Sequence, residues 1–150
     1  MKIAAIIIFS LMIVPSANAG IWGQLHQEDS EFFTLSYREQ EKTIRLYPIH
    51  KQLRLYMYGM TKNRPIAYHL LGPVASTGKE IIPSTLALLE LVDSDEELSA
   101  VLALLLQIDQ DYYHWRLDKD LIDLARQKTS LVKKQAWQQR FLDTLEQDRK

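Results

Sequence analysis

Residues 82–104 read IPSTLALLELVDSDEELSAVLAL, two leucine-rich segments on either side of an acidic turn. In the first segment, Pro83 suits the opening turn of a helix, where the missing N–H leaves no intrahelical hydrogen bond unmade. The apolar residues on one face of this helix are Ile82, Leu86, Leu89 and Val92, with Ala87, Leu88 and Leu91 beside them. In the turn, Ser94 and Glu97 have the spacing of a capping box, which satisfies two free backbone N–H groups at the start of a second helix. The stretch therefore predicts a pair of antiparallel helices.

The second helix of this pair is predicted to be apolar on nearly all sides. Its main apolar face carries Leu98, Val101, Leu102, Leu105 and Ile108, with Leu104 and Leu106 next to that face. Because a helix with so little polar surface must be covered by its neighbours, we expect it at the centre of the fold.

The chain before this pair shows the same helical spacing. Ser36 and Glu39 form another capping-box pattern, and we expect the helix that they begin to extend to about Tyr47. Pro48 then ends that helix and suits the start of the next one. The apolar stripe of the next helix consists of Ile49, Leu53, Tyr56, Met57 and Met60. Gly59 is expected to weaken the end of this helix, because glycine is a poor helix former.

Three more helices are predicted from the positions of glycine, aspartate and serine. One covers residues 66–76, and Gly78 follows it as a left-handed C-cap. Another begins after Asp118 or Asp120, and the last begins at about Ser130. Long alternating runs of β-branched residues, which are typical of strands, do not occur in the sequence. The sequence therefore predicts an all-α fold.

The pattern over residues 82–104 resembles a HEAT-type repeat. That unit places a proline near the start of a leucine-rich helix, then an acidic turn, then a second helix with alanine and leucine on its inner side. Residues 65–78 look like the second helix of a preceding unit. The unit over residues 82–104 departs from the family pattern at one point, because Leu98 and Ser99 occupy the place of the basic residue that is usual early in the second helix. The resemblance implies a binding scaffold in which antiparallel helix pairs stack as a short α-solenoid. An irregular helical bundle is the alternative architecture.

The first nineteen residues have the features of a secretory signal peptide. A lysine precedes an apolar run over residues 3–14, which is too short to span a membrane. Ala17 and Ala19 place small side chains at the two positions that signal peptidase must accommodate. We therefore expect cleavage between Ala19 and Gly20.

The predicted mature chain, residues 20–150, is expected to form a single α-helical domain that begins with an irregular segment, or a short helix, over residues 20–34. The leader predicts a periplasmic or secreted bacterial protein without a stable membrane anchor after cleavage. The chain has no cysteine, which excludes disulfide bonds and thiolate metal sites. With 18 basic and 19 acidic residues, the formal charge of −1 gives no reason to expect nucleic acid as a partner.

The densest group of aromatic and reactive side chains follows the predicted central helix. The candidate residues for contact with a partner protein are Tyr112, Tyr113, His114 and Trp115. Aromatic side chains carry a large share of the binding energy at protein interfaces. The alternative is structural: Asp109 or Asp111 caps a helix, and the aromatic side chains pack the connection onto the core.

An enzymatic alternative uses the acidic residues of the same segment. Asp111 and His114 could orient each other for proton transfer, or these two and Asp109 could bind a divalent metal. The segment lacks the glycine of a calcium loop. The chain also lacks a phosphate-binding glycine loop and a serine-nucleophile motif, so no cofactor is predicted.

The sequence as a whole favours an exported, non-enzymatic α-helical scaffold or adaptor that binds another protein, expected in the cell envelope. A small hydrolase built around Asp109, Asp111 and His114 is the first alternative. An inhibitor or immunity-type protein is the second.

Overall fold

A computed structural model describes residues 27–147 of the chain. These residues contain helices, turns and no strand, which confirms the predicted all-α fold. The predicted signal peptide, its cleavage site at Ala19 and Gly20, and the first part of the segment over residues 20–34 lie outside the described residues.

Eight α-helices follow one another in the described part of the chain. They are α1 (Gln27–Phe32), α2 (Tyr37–Ile44), α3 (Ile49–Thr61), α4 (Leu71–Ala75), α5 (Ile82–Ala87), α6 (Asp95–Asp111), α7 (Lys119–Thr129) and α8 (Gln135–Glu146). Short 3₁₀ turns lie between them at Tyr68–Leu70, Gly78–Ile81, Leu88–Glu90 and Trp115–Leu117. None of these helices has the length and apolar character that a membrane crossing requires.

Helix α6 is the central element of the fold, as the sequence predicts. It packs against α3, α4, α5 and α8. Leu98, Val101 and Leu105 are buried on its inner side, and the Ala100 carbonyl oxygen accepts a hydrogen bond of 2.8 Å from the Tyr56 hydroxyl of α3. Leu106 differs from the prediction because it faces solvent. Within the part of the chain that the structure describes, the central helix is therefore exposed on one side at Leu106.

The predicted capping residues of α2 and α6 are confirmed. The Glu39 carboxylate accepts hydrogen bonds from the Ser36 hydroxyl and backbone N–H, and these bonds lower the pKa of Glu39 below its ordinary value. At α6, the Ser94 hydroxyl accepts a hydrogen bond of 3.1 Å from the backbone N–H of Glu97. The Glu97 carboxylate accepts instead from the N–H of Asp93, one residue before the expected partner.

Two helices are shorter than the spacing of apolar residues predicts. Residues 66–76 form a 3₁₀ turn followed by the short α4, which contains the buried Pro73. Proline has no N–H to continue a regular helical hydrogen-bond series. Helix α5 ends at Ala87 and tightens into a 3₁₀ turn, and this leaves Ala87 and Leu91 exposed rather than in the core.

The bounds of α2 and α8 also differ from the expectation. Helix α2 ends at Ile44, because the N–H groups of Leu46 and Tyr47 bond to carbonyl groups only three residues back. The last helix begins at Gln135 rather than at Ser130. The apolar residues that it buries are Trp137, Phe141 and Leu145.

Two glycines have defined packing or backbone roles. A Cβ atom on Gly59 would lie 2.9 Å from the Cβ of Ala67, so the glycine of α3 permits close approach of the following segment. This corrects the expectation that Gly59 merely weakens the helix end. Gly78 has a φ of +70°, which confirms the predicted left-handed conformation, although it begins a 3₁₀ turn rather than following a long helix.

Candidate protein-binding surfaces

The connection between α6 and α7 contains all four predicted contact residues. We call Tyr112–Asp118, residues 112–118, the α6–α7 loop. Trp115 is only 2% exposed, and its indole Nε1 donates a hydrogen bond of 2.8 Å to the carbonyl oxygen of Leu105 in α6. The prediction that Trp115 contacts a partner directly is therefore wrong, because the ring faces the core and anchors the loop.

A buried ion pair provides the second anchor of the α6–α7 loop. The Asp109 carboxylate accepts hydrogen bonds from the Arg116 side-chain Nε at 2.8 Å and from the Arg116 backbone N–H at 3.1 Å. The same guanidinium donates to the carbonyl oxygens of Thr144 and Gln147 at the end of α8. Asp109 and Arg116 thus join the loop to both the central helix and the last helix.

The three residues of the enzymatic alternative have different partners. The Asp109 carboxylate binds Arg116, the Asp111 carboxylate accepts from the side-chain amide of Gln107, and the ring Nδ1 of His114 lies 2.6 Å from the Asp109 carbonyl oxygen. Among residues 27–147, no group of three histidine, aspartate or glutamate side chains is placed to hold a metal ion. The structure does not bring Asp109, Asp111 and His114 together as a set of ligands.

A third anchor connects the loop to the start of α7. Asp118 is the N-cap of α7, and its carboxylate accepts hydrogen bonds from the backbone N–H groups of Asp120 and Leu121. The Lys79 ammonium and the Tyr113 hydroxyl each donate to the other carboxylate oxygen over 2.8 Å. Both donors lower the pKa of Asp118, which falls to about 2, and Lys79 has the larger effect. The Tyr113 hydroxyl is therefore hydrogen-bonded within the loop, to Asp118.

The outer side of the loop presents apolar and aromatic side chains to solvent. Leu117 is 85% exposed and Tyr112 is 46% exposed, and His114 is exposed beside them in the chain. We call Tyr112, His114 and Leu117 the loop surface. Sequence reasoning missed Leu117, because a leucine just before a helix cap gives no sign of whether it faces the core or solvent.

A second solvent-facing feature lies along α6. An open groove of about 350 Å³ runs between α6 and the segment that follows α3. Its lining residues are Met60, Ile66, Tyr68, Asp95, Glu96, Ser99, Ala100 and Ala103. Tyr68 is 65% exposed at its edge. We call this feature the α6 groove; the sequence analysis did not identify it, because its two sides are far apart in the chain.

The charged groups of the α6 groove lie at the N-terminal end of α6. Asp95 accepts a hydrogen bond of 2.6 Å from the indole N–H of Trp137. Glu96 is exposed, and within residues 27–147 no basic side chain lies at ion-pair distance from it. The nearest cation shown by hydrogen bonding is Arg140, which donates to the Ser99 hydroxyl over 3.0 Å. One end of an otherwise apolar groove is therefore acidic.

A further pocket has a different character. It has a volume of about 440 Å³ and is lined mainly by polar side chains. Several of its polar groups have partners within the protein: Arg45 donates to the Ser76 hydroxyl, and the Gln52 side chain binds both the Tyr47 carbonyl oxygen and the Thr77 hydroxyl.

Comparisons with protein-family models, with curated proteins and with solved structures found no match for this chain. The HEAT-like resemblance therefore stays a prediction.

Proposed function

We propose that the protein is an exported, non-enzymatic α-helical scaffold or adaptor that binds another protein through the loop surface. The proposal rests on the exposure of Leu117 and Tyr112 on a loop that hydrogen bonds and an ion pair hold against the helices. An exposed leucine in isolation is ordinary on a protein surface. An exposed leucine and tyrosine on an anchored connection form a candidate contact patch.

The anchors give such a patch a physical advantage in binding. Trp115, the Asp109–Arg116 ion pair and the bonds around Asp118 each hold the loop at a different point. A loop that is already ordered loses less conformational entropy when a partner binds, so more of the contact energy remains as affinity. Tyrosine adds a large contact area with few rotatable bonds.

The bonds of the reactive side chains support a non-enzymatic role. Asp109 is neutralised by Arg116, and His114 is directed toward a backbone carbonyl oxygen. A general acid or base must instead point at the proton that it transfers, within hydrogen-bond reach of a substrate. The export part of the proposal rests on the leader-like residues before Gly20.

The test is quantitative capture of proteins from the cell envelope on the immobilised protein. The test variant is Leu117→Ser, and the matched control is Leu46→Ser, because Leu46 is 83% exposed in the connection between α2 and α3. We expect the control to retain the captured partner and the test variant to lose most of it. Far-ultraviolet circular dichroism checks that both variants keep the helical content of the wild type.

Equal capture by the two leucine variants would remove the loop surface from the proposal. Capture of no protein by the wild type at physiological salt would contradict the scaffold function itself. Turnover of a hydrolase substrate by the wild type, lost in Asp111→Asn, would favour the enzymatic alternative.

A further inference from the structure

The α6 groove has a floor of small side chains. Ser99, Ala100 and Ala103 lie on α6, whereas larger apolar side chains from Met60 and Ile66 form the opposite wall. Small residues let the backbone of a second element approach a helix closely. The groove is therefore shaped for the ridge of side chains on another helix.

Among residues 27–147, the same side of α6 stays at least partly exposed beyond the groove. Ser99, Ala103 and Leu106 recur at intervals of four and three residues, so they share one face of the helix. Leu106 is exposed on that face. Helix α6 has 17 residues, or about 25 Å at 1.5 Å per residue. A partner helix of several turns has room to lie along it.

The charge of the groove selects the kind of helix. Asp95 and Glu96 lie at one end, and Glu96 lacks a basic partner within the described residues. The positive end of the α6 dipole offsets part of this charge, and Arg140 lies at the Ser99 side. A lysine or arginine of a partner could reach Glu96 while its apolar residues fill the groove.

We propose that the α6 groove binds a basic amphipathic helix of a partner protein, with apolar residues at helical spacing and a lysine or arginine against Glu96. This inference rests on the proposed protein-binding function and adds a second contact site to the loop surface. The binding mode is an amphipathic helix in an apolar groove.

The experiment is selection from a displayed library of random peptides on the purified protein. Ala103→Trp is the variant that tests the site, since its indole would fill the groove. We expect the selected peptides to carry apolar residues at positions i, i+3, i+4 and i+7, together with lysine or arginine. Their affinity is then measured by fluorescence anisotropy against a small set of variants.

The expected changes in affinity distinguish the effect of the groove's shape from the effect of its charge at Glu96. Ala103→Trp should weaken binding by about tenfold or more, and Glu96→Lys by about fivefold. Ala87→Trp is the matched control, because Ala87 is exposed on α5 and does not line the groove, and it should leave the dissociation constant nearly unchanged. Tyr68→Ser serves as a second groove variant in case Ala103→Trp disturbs folding, and it should also weaken binding.

Each other outcome contradicts the inference. Selected peptides that are acidic, or whose binding does not respond to Glu96→Lys, would overturn the charge selection. Failure to select any peptide would overturn the groove as a binding site. Selected peptides that bind the Ala103→Trp variant normally but no longer bind the Leu117→Ser variant would refute the groove as the binding site. The proposed function of the loop surface would then still stand.

Discussion

The indole Nε1 of Trp115 donates a hydrogen bond to the carbonyl oxygen of Leu105 over 2.8 Å within the buried core. This bond spans the end of α6 and the 3₁₀ turn that leads to α7. It makes an aromatic residue of a connecting segment into part of the core. The exposed residues of the loop depend on it for their position.

We expect Trp115→Phe to destabilise the protein by about 1–3 kcal/mol, because the ring becomes smaller and the hydrogen bond is lost. Trp115→Ala should cost about 3–5 kcal/mol, since it leaves a large cavity. Urea unfolding followed by circular dichroism measures both changes. A stability equal to that of the wild type in Trp115→Ala would contradict the anchoring role.

The two glycines of α3 and α4 should respond differently to alanine. Gly59→Ala places a Cβ 2.9 Å from the Cβ of Ala67, so we expect a loss of about 1–3 kcal/mol from overpacking. In α4, Gly72 has no atom within 4 Å of the position of a Cβ, but it directly precedes Pro73. Gly72→Ala should therefore have the smaller effect, because the gain in helix propensity is opposed by the clash between a Cβ and the following proline ring in the helical conformation.

Thermal unfolding of the two glycine variants in parallel gives the comparison. Helix propensity alone would raise the stability of both. A higher melting temperature for Gly59→Ala would show that the close approach between α3 and Ala67 does not constrain the chain.

Asp118 should contribute stability that depends on pH. The Lys79 and Tyr113 donors lower the pKa of Asp118 to about 2, below its value in the unfolded chain. The contribution is therefore complete above about pH 4 and is lost as the pH falls from about 4 to 2. Asp118→Ala, which also removes the helix cap, should lower the free energy of unfolding at neutral pH.

The control for Asp118 is Asp118→Asn, which keeps an oxygen for the cap but removes the charge. Its stability difference from the wild type should shrink between pH 4 and pH 2 in urea unfolding experiments. A difference that is constant over this range would show that the ion pair with Lys79 has no part in stability.

Tyr56 should make the protein sensitive to alkali. Burial raises the pKa of Tyr56 well above 10, because the phenolate is poorly solvated beside α6. Above about pH 10 the unfolded chain releases this proton more readily than the folded one, so the free energy of unfolding falls as the pH rises. In Tyr56→Phe, which should cost about 1 kcal/mol at neutral pH, this fall should be shallower. An unchanged slope between pH 9 and 11 would contradict the assignment.

Local signals in the sequence were sufficient for the helix caps and for the central helix. A capping box such as Ser36 with Glu39 involves residues three apart, so the hydrogen bonds can be read from the spacing alone. The apolar character of α6 likewise predicts that other helices surround it.

The loop could be predicted only in part, because its geometry depends on distant residues. The segment over residues 109–120 was identified, but Trp115 is buried by packing on α6 and Arg116 is held by the end of α8. The α6 groove joins Tyr68 to Glu96, and no local pattern indicates that these residues are neighbours.

The most direct test of a protein-binding loop surface is hydrogen–deuterium exchange of the protein with and without a partner captured from the cell envelope. The account predicts slower exchange of the amides of residues 112–118 in the complex, and unchanged exchange around Arg45 and Gln52 in the polar pocket. Unchanged exchange over residues 112–118 in a saturated complex would contradict it.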